Sequence, residues 1–215
     1  MSKLIPIVIT IGAVLSSCFV CQAFGTEFLT HELPEGIAIQ VPAHWRVLSK
    51  DMRKNIRAAT EAMAEQSDVS LRKATNVLHV NATPDPTGAT VRVTIGPPPP
   101  FSAAELKDAN QSDLIELKSI YENQMLAIQK NGGPELIESY LPRIESISGI
   151  SSIAWSYRRK SATGHGAWYV TQYKVPCTSI LVELTISYRE SDSAPWKPIL
   201  RKVRESVRIQ DCSVS

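Results

Sequence analysis

The stretch Ile37-Ala-Ile-Gln-Val-Pro-Ala-His-Trp45 decides how the chain is organised. Its branched apolar residues Ile37, Ile39 and Val41 alternate with other residues, which is the period of a strand with one buried side. Pro42 has no amide hydrogen to give to a sheet, so the strand ends there and the chain turns before Trp45. The stretch therefore predicts a strand that leaves its sheet through a Pro-x-x-Trp turn.

Six later segments also have strand patterns. The apolar residues Val91, Val93 and Ile95 alternate with polar residues that we expect on the outer face of an antiparallel sheet. The clearest alternation runs from Ile180 to Tyr188, with all its large apolar residues on one side. The predicted strands are 77–82, 90–95, 143–148, 152–159, 167–175 and 178–188.

Three segments have helical spacing. In the first, residues 49–66, we expect Met52, Ile56, Ala59 and Met63 to share a buried face. A capping box at 102–105 opens a second and longest helix, which the glycines at 132 and 133 end. The third begins after a Ser-Asp-Ser cap at 191–193 and carries apolar residues inward as far as position 207. Strands and helices together predict an α+β fold, an antiparallel sheet flanked by helices, in a single domain over residues 24–215.

The first 23 residues predict a signal peptide. Lys3 supplies the positive end, an apolar run follows, and no other segment is hydrophobic enough to span a membrane. Cleavage after Ala23 would start the mature chain at Phe24 in the periplasm or outside the cell. Leu15-Ser-Ser-Cys18 instead resembles a lipobox, in which Cys18 is acylated and anchors the protein to a bacterial membrane.

The cysteines favour cleavage after Ala23. That cut removes Cys18 and Cys21 and leaves an even pair, whereas acylation of Cys18 would leave Cys21 as an odd thiol. The remaining pair, Cys177 and Cys212, is predicted to form a disulfide, because exported proteins meet an oxidising environment. Two free buried thiols are the alternative.

Taken in order, the segments resemble the Mog1/PsbP-like fold. The resemblance rests on the stretch 37–45, on the Ile147-Ser-Gly149 step before the strand at 153–157, on the strand 180–188 and on the helix from Trp196 to Val207. It implies an α/β/α sandwich that works by binding, because members of that fold share no catalytic residue set. It carries over no site residue.

Residues with catalytic or metal-binding spacing are not evident in the sequence. The four histidines, His31, His44, His79 and His165, stand apart from one another and from the cysteines. His79 falls in a predicted strand, where we expect a hydrogen-bonded structural histidine, and no nucleotide-binding or nucleophile-elbow motif occurs. We therefore predict no catalytic residue, no metal and no cofactor.

Charge suggests a binding surface. The formal net charge of +2 excludes a nucleic-acid protein held by bulk charge. Three basic segments, 46–57, 158–160 and 197–208, would contact acidic lipid or an acidic protein if they converge.

The sequence favours a non-enzymatic exported binding or accessory protein of the bacterial cell envelope that acts through a protein partner. A narrower version of this hypothesis is an immunity-type protein that caps a periplasmic toxin. The alternatives are a lipid-anchored envelope-maintenance protein and a small-ligand-binding or hydrolytic protein with a pocket between sheet and helices.

Overall fold

The computed structural model describes residues 26–67, 73–84, 87–161, 166–210 and 212. The predicted signal peptide, Cys18, Cys21 and His165 lie outside these residues. The helices are α1 (Lys50–Gln66), α2 (Ala103–Lys107), α3 (Gln111–Lys130) and α4 (Ser193–Glu205). The strands are β1 (Phe28–Leu33), β2 (Ile37–Pro42), β3 (Arg46–Val47), β4 (Thr75–Asn81), β5 (Ala89–Gly96), β6 (Leu136–Ser139), β7 (Arg143–Ile147), β8 (Ile150–Lys160), β9 (Ala167–Pro176), β10 (Leu181–Arg189) and β11 (Arg208–Ile209).

The described strands form two antiparallel sheets. The large sheet has the order β3-β4-β5-β10-β9-β8-β6, with β7 also paired to β8, and the small sheet has the order β1-β2-β11. All six strands that the sequence predicted after the stretch 37–45 lie in the large sheet. The strand at 37–42 belongs to the small sheet, and its Pro-x-x-Trp turn carries the chain to β3 at one end of the large sheet.

One face of the large sheet, here called the apolar face, carries the main core. Alternate residues of β5, β9 and β10 on this face are buried against the small sheet and α4. They include Val91, Leu184 and Val175, and they meet Ile39 of β2 and Val203 of α4, which is fully buried. Burial of this branched aliphatic surface is the main stabilising contribution to the fold.

The opposite face, here called the mixed face, is apolar only at one end. Over β8 the side chains of Trp155 and Tyr157 pack with Leu106 of α2 and Tyr121 of α3 in a second core cluster. Across β9, β10, β5 and β4 the same face carries polar side chains, and α1 lies alongside β4. Helices thus lie on both faces of the sheet, which confirms the predicted α+β class and its single domain.

The Pro-x-x-Trp turn is fixed by aromatic packing. The amide of Trp45 donates to the carbonyl of Pro42 at 3.0 Å, which closes the turn. The Trp45 ring is 4% exposed and meets Trp196 of α4 edge-on, with ring centroids 5.9 Å apart. Gly88 lies so close to Trp196 that a Cβ there would stand 2.6 Å from the indole nitrogen.

Two predictions about the helices are wrong in detail. The second helix is not continuous, because Asn110 accepts hydrogen bonds from the amides of Ser112 and Asp113 and starts a new helix after α2 has ended. The carboxylate of Asp113 in turn accepts a hydrogen bond from the backbone amide of Asn110 at 2.9 Å, which completes a second capping box. In α1 none of the four residues predicted to face the core is buried. Met52, at 49%, and Ala59 are exposed, and Ile56 and Met63 are half-buried.

A disulfide bond links two distant parts of the chain. Cys177 and Cys212 are disulfide-bonded, with their Cα atoms 4.9 Å apart, so the chain end after β11 is tied to the turn between β9 and β10. Among the described residues, no helix combines the length and hydrophobicity that a membrane crossing would need.

Candidate binding surface

Three tyrosine side chains form a row at one end of the apolar face, beyond the main core. Tyr169 of β9 and Tyr188 of β10 are direct cross-strand partners, and their rings stack with centroids 5.4 Å apart. Tyr140, which follows β6, continues the row at 5.9 Å from Tyr169. All three rings are half-buried, so each keeps part of its surface open to solvent. We call this row the tyrosine platform.

Ion pairs frame the tyrosine platform. Arg158 of β8 is the cross-strand neighbour of Tyr169, and its guanidinium binds the carboxylate of Glu190 through two nitrogens, at 2.5 and 2.9 Å. The same guanidinium donates to Glu138 at 3.1 Å. The two-pronged Arg158–Glu190 contact joins β8 to the segment just before α4, and such paired contacts fix orientation as well as adding attraction.

The surroundings raise the pKa of two of the platform phenols, Tyr140 and Tyr188. Burial raises the pKa of Tyr188 to about 12, with the neighbouring Tyr169 as a further cause. The pKa of Tyr140 is raised because its hydroxyl donates to Glu138 at 2.8 Å. The same bond, followed by the bond from Arg158, lowers the pKa of Glu138. The phenols of Tyr140 and Tyr188 therefore stay uncharged near pH 7 beside a charged rim.

An open depression of about 470 Å³ adjoins two of these rings. Tyr169 and Tyr188 form its aromatic side, and Glu190, Ser193 and Lys197 form its polar side. The ammonium of Lys197 lies 5.9 Å from the ring centroid of Tyr188, within the range of a cation–π contact. The site thus combines an aromatic floor with one anionic and one cationic group, a composition that suits contact with another protein.

Exposed apolar residues continue this surface. Ile137 and Leu141 stand on either side of Tyr140 in the sequence, and they are 40% and 36% exposed. β6, which contains Ile137, lies at the end of the strand order of the large sheet. Apolar side chains are therefore exposed close to Tyr140 in the sequence and at this edge of the sheet.

Comparisons with known proteins give a fold and no closer relative. No protein-family model matches the chain, and no curated protein matches it. Among solved structures, the cyanobacterial PsbP protein CyanoP of Synechocystis sp. PCC 6803 matches over 88% of this chain and 97% of its own, with a TM-score of 0.51 and 14% identity. The chain has the Mog1/PsbP-like fold.

Two other structures with lower scores align over similar lengths. LpqN of Mycobacterium tuberculosis, described as involved in cell envelope biogenesis, matches 86% of this chain and 91% of its own at 13% identity, with a TM-score of 0.49. The Ran-binding protein Mog1p of Saccharomyces cerevisiae matches 87% of this chain and 97% of its own at 12% identity, with a TM-score of 0.44. At these identities the likeness concerns the fold alone.

In this Mog1/PsbP-like chain the histidines lie apart. His31 is in β1, the exposed His44 is in the turn before β3, and His79 is in β4. Nδ1 of His79 is buried without a hydrogen-bond partner, so the hydrogen bond expected for a structural histidine is not seen at that atom. Within the described ranges, no three His, Cys, Asp or Glu side chains are grouped as metal ligands would be.

The three basic segments do not converge on one surface. Arg158 and Lys197, from the second and third segments, meet at the tyrosine platform, whereas α1 of the first segment lies near β4. Many of these charges are also paired within the protein. The pairs are Arg57 with Glu61, Arg158 with Glu190 and Glu138, Lys160 with Glu135, and Arg204 with Glu145.

Sequence reasoning missed the tyrosine platform. The alternation in 180–188 does place Tyr188 on the same side as Ile186, and the structure agrees. The position of Tyr169 opposite Tyr188 depends on the register between β9 and β10, which the turn at 177–180 sets. The contribution of Tyr140 depends on β6, a short strand that the sequence pattern did not reveal.

Proposed function

We propose that the mature chain is a non-enzymatic, exported binding or accessory protein of the bacterial cell envelope that holds a protein partner at the tyrosine platform. The observation that supports a binding role is the half-exposed row of Tyr140, Tyr169 and Tyr188 inside a rim of Arg158, Glu190 and Lys197. Tyrosine and arginine are the residue types that most often dominate the energetics of protein interfaces.

The platform is pre-formed in a way that favours binding. Tyr188 and Tyr169 are fixed by strand register, and Arg158 is fixed by its two carboxylates, so these side chains lose little conformational freedom when a partner arrives. A stable interface covers about 800 Å² on each partner. We infer that the exposed Ile137 and Leu141, which are close to Tyr140 in the sequence, add apolar area to the platform inside its charged rim.

The export part of the proposal rests on the sequence of residues 1–23 and on the disulfide. A mass measurement of the mature N-terminus separates the two forms of export. A chain that begins at Phe24 supports the soluble periplasmic or extracellular form. A chain that begins at an acylated Cys18 supports the lipid-anchored form instead. A partner that proves to be a toxin, inhibited on binding, would establish the narrower immunity-type version.

We expect a photo-crosslinking amino acid at position 140 to trap one discrete protein when the full chain is made in its native host. The reason is that Tyr140 is the outermost platform ring and lies between two exposed apolar residues. The matched control is the same amino acid at position 115, because Ile115 of α3 is also exposed, at 54%, but lies far from the platform in the fold.

The control decides whether the platform is specific. An adduct from position 140 that is absent from position 115, and that disappears when Lys197 is replaced by glutamate, supports the proposal. Equal adducts from both positions, or none from position 140 under conditions where the chain is exported and folded, would overturn it.

A further inference from the structure

A group of cationic side chains lies on the mixed face, on the side of the sheet opposite the tyrosine platform. Arg92 of β5, Lys174 of β9 and Arg159 of β8 all point to this face. Among the described residues of β4, β5, β8, β9 and β10, Glu183 is the one carboxylate there, and it is paired with Lys174 at 2.6 Å. Positive charge on this face therefore exceeds negative charge.

Arg92 differs from the other two cations. Lys174 binds Glu183, and Arg159 donates to the carbonyl of Lys160 and lies over the Trp168 ring, whereas no such contact of Arg92 is found among the described residues. The cross-strand neighbours of Arg92 are His79 on β4 and Thr185 on β10, and neither is an anion at neutral pH. Within the described part of the chain, the buried Nε atom of Arg92 has no hydrogen-bond partner, and no carboxylate is in salt-bridge range of its guanidinium. A half-buried guanidinium without an acceptor is unfavourable, because desolvation is not offset by new hydrogen bonds.

The charge of Arg92 acts on groups from several strands. Burial first, and the charge of Arg92 second, lower the pKa of His79 to about 4, so this imidazole is neutral at physiological pH. Burial also lowers the pKa of Arg159 on β8, and Arg92 contributes in the same direction. Against the raising effect of burial, Lys174 and after it Arg92 lower the pKa of Glu183 on β10. Arg92 therefore lies centrally on the mixed face, near a second arginine that repels it and near a carboxylate that Lys174 already binds.

Two neutral polar side chains continue the row that starts at Arg92. The register places Thr185 beside Arg92 and Gln172 beside Thr185, on three adjacent strands that stand about 4.8 Å apart. Both side chains are half-buried, and the amide nitrogen of Gln172 makes only a long 3.5 Å contact, to the hydroxyl of Tyr157. The Thr185 hydroxyl and the Gln172 amide are thus hydrogen-bond donors in line with the guanidinium.

We propose that the row formed by Arg92, Thr185 and Gln172 binds a small oxyanion through a phosphate or carboxylate group. The guanidinium provides the charge and a planar pair of donors that matches an oxyanion, and the hydroxyl and amide supply further donors. His79, beside Arg92, is neutral at physiological pH and adds no charge to the site. This site is independent of the tyrosine platform, which lies on the other face.

Calorimetric titration of the purified protein with inorganic phosphate, and separately with succinate, tests the site at one fixed ionic strength. We expect one saturable site, and the tighter of the two anions identifies the chemical class. Arg92→Gln should weaken binding about tenfold or more, since hydrogen bonds to a charged group contribute roughly 1.5–3 kcal/mol. The matched control is Arg201→Gln, an exposed arginine on the outer side of α4, which should change the affinity less than about twofold.

Two results would overturn the site. One is the absence of saturable binding by either anion. The other is equal affinity in the Arg92→Gln and Arg201→Gln variants. If Arg92→Gln does not fold, Thr185→Val decides the matter, because it keeps every charge and removes one donor. It should weaken binding severalfold, and an unchanged affinity in folded Thr185→Val would contradict the proposal.

Discussion

Replacing Trp45 by alanine is expected to lower the free energy of unfolding by about 3–5 kcal/mol, the range observed when a large buried aromatic side chain is truncated. Trp45 is 4% exposed and packs edge-on against Trp196. Its removal opens a cavity where the chain passes from the small sheet to the large one. Gly88, packed tightly on the other indole, cannot fill that space.

A conservative variant separates packing from hydrogen bonding at this position. The indole nitrogen of Trp45 is buried without a hydrogen-bond partner among the described residues. Trp45→Phe keeps most of the apolar volume and loses no such bond, so we expect a cost well below that of alanine. Equilibrium urea unfolding of both variants measures this order. Equal, small losses for the two substitutions would show that the turn does not depend on the ring.

Removing the disulfide should have the second large effect. The bond between Cys177 and Cys212 closes a loop with a sequence separation of 35 residues, and the chain-entropy model gives such a loop about 3–4 kcal/mol of stability. Because the bond holds the chain end after β11, its loss also releases the strand that completes the small sheet. For a domain of this size we expect the double variant Cys177→Ser/Cys212→Ser to melt about 10 °C lower.

Reduction of the wild-type protein is the control. Treatment with a thiol reductant should lower the melting temperature of the wild type to that of the double variant and leave the double variant unchanged. Thiol titration of the protein purified from its native host without reductant measures how much of the pair is oxidised. Two free thiols in that protein, together with no effect of reductant, would contradict the prediction.

Local patterns predicted the elements that bury apolar side chains. Alternation located the strands of the large sheet, because one side of each strand packs into the core while the other carries different residues. The same reasoning placed Leu200 and Val203 of α4 inward, and both are buried. The sequence pattern did not predict the strands β1, β3, β6 and β11, because they are short or lie at sheet edges, where exposure weakens the alternation.

Polar positions show where the sequence was insufficient. The alternation in β5 predicted that Thr90, Arg92 and Thr94 face outward, and they do lie on the face opposite the core. They are nevertheless half-buried or buried, since that face is partly covered. Whether an outward side chain meets water or another element depends on packing between distant segments, so the Arg92 group and the tyrosine platform both required the three-dimensional register.

The ion pairs around the platform also depend on contacts between segments that are distant in the sequence. The sequence shows a run of basic residues at 158–160, for which a basic surface was a reasonable hypothesis. In the fold, Arg158 meets Glu190 and Glu138, which are 32 and 20 residues away in the chain. These contacts turn a basic segment into a nearly balanced rim, and only Lys197 adds positive charge beside Tyr188.

The central claim is that this protein works by binding a partner at the tyrosine platform, and the affinity of the purified chain for the protein trapped from position 140 tests it most directly. The account predicts that Tyr140→Ala weakens this affinity about thirtyfold, the size of loss that truncation of a tyrosine hot spot gives, while Ile115→Ala on α3 leaves it within about twofold. An affinity that Tyr140→Ala leaves unchanged, in a protein that melts at the wild-type temperature, would contradict the account.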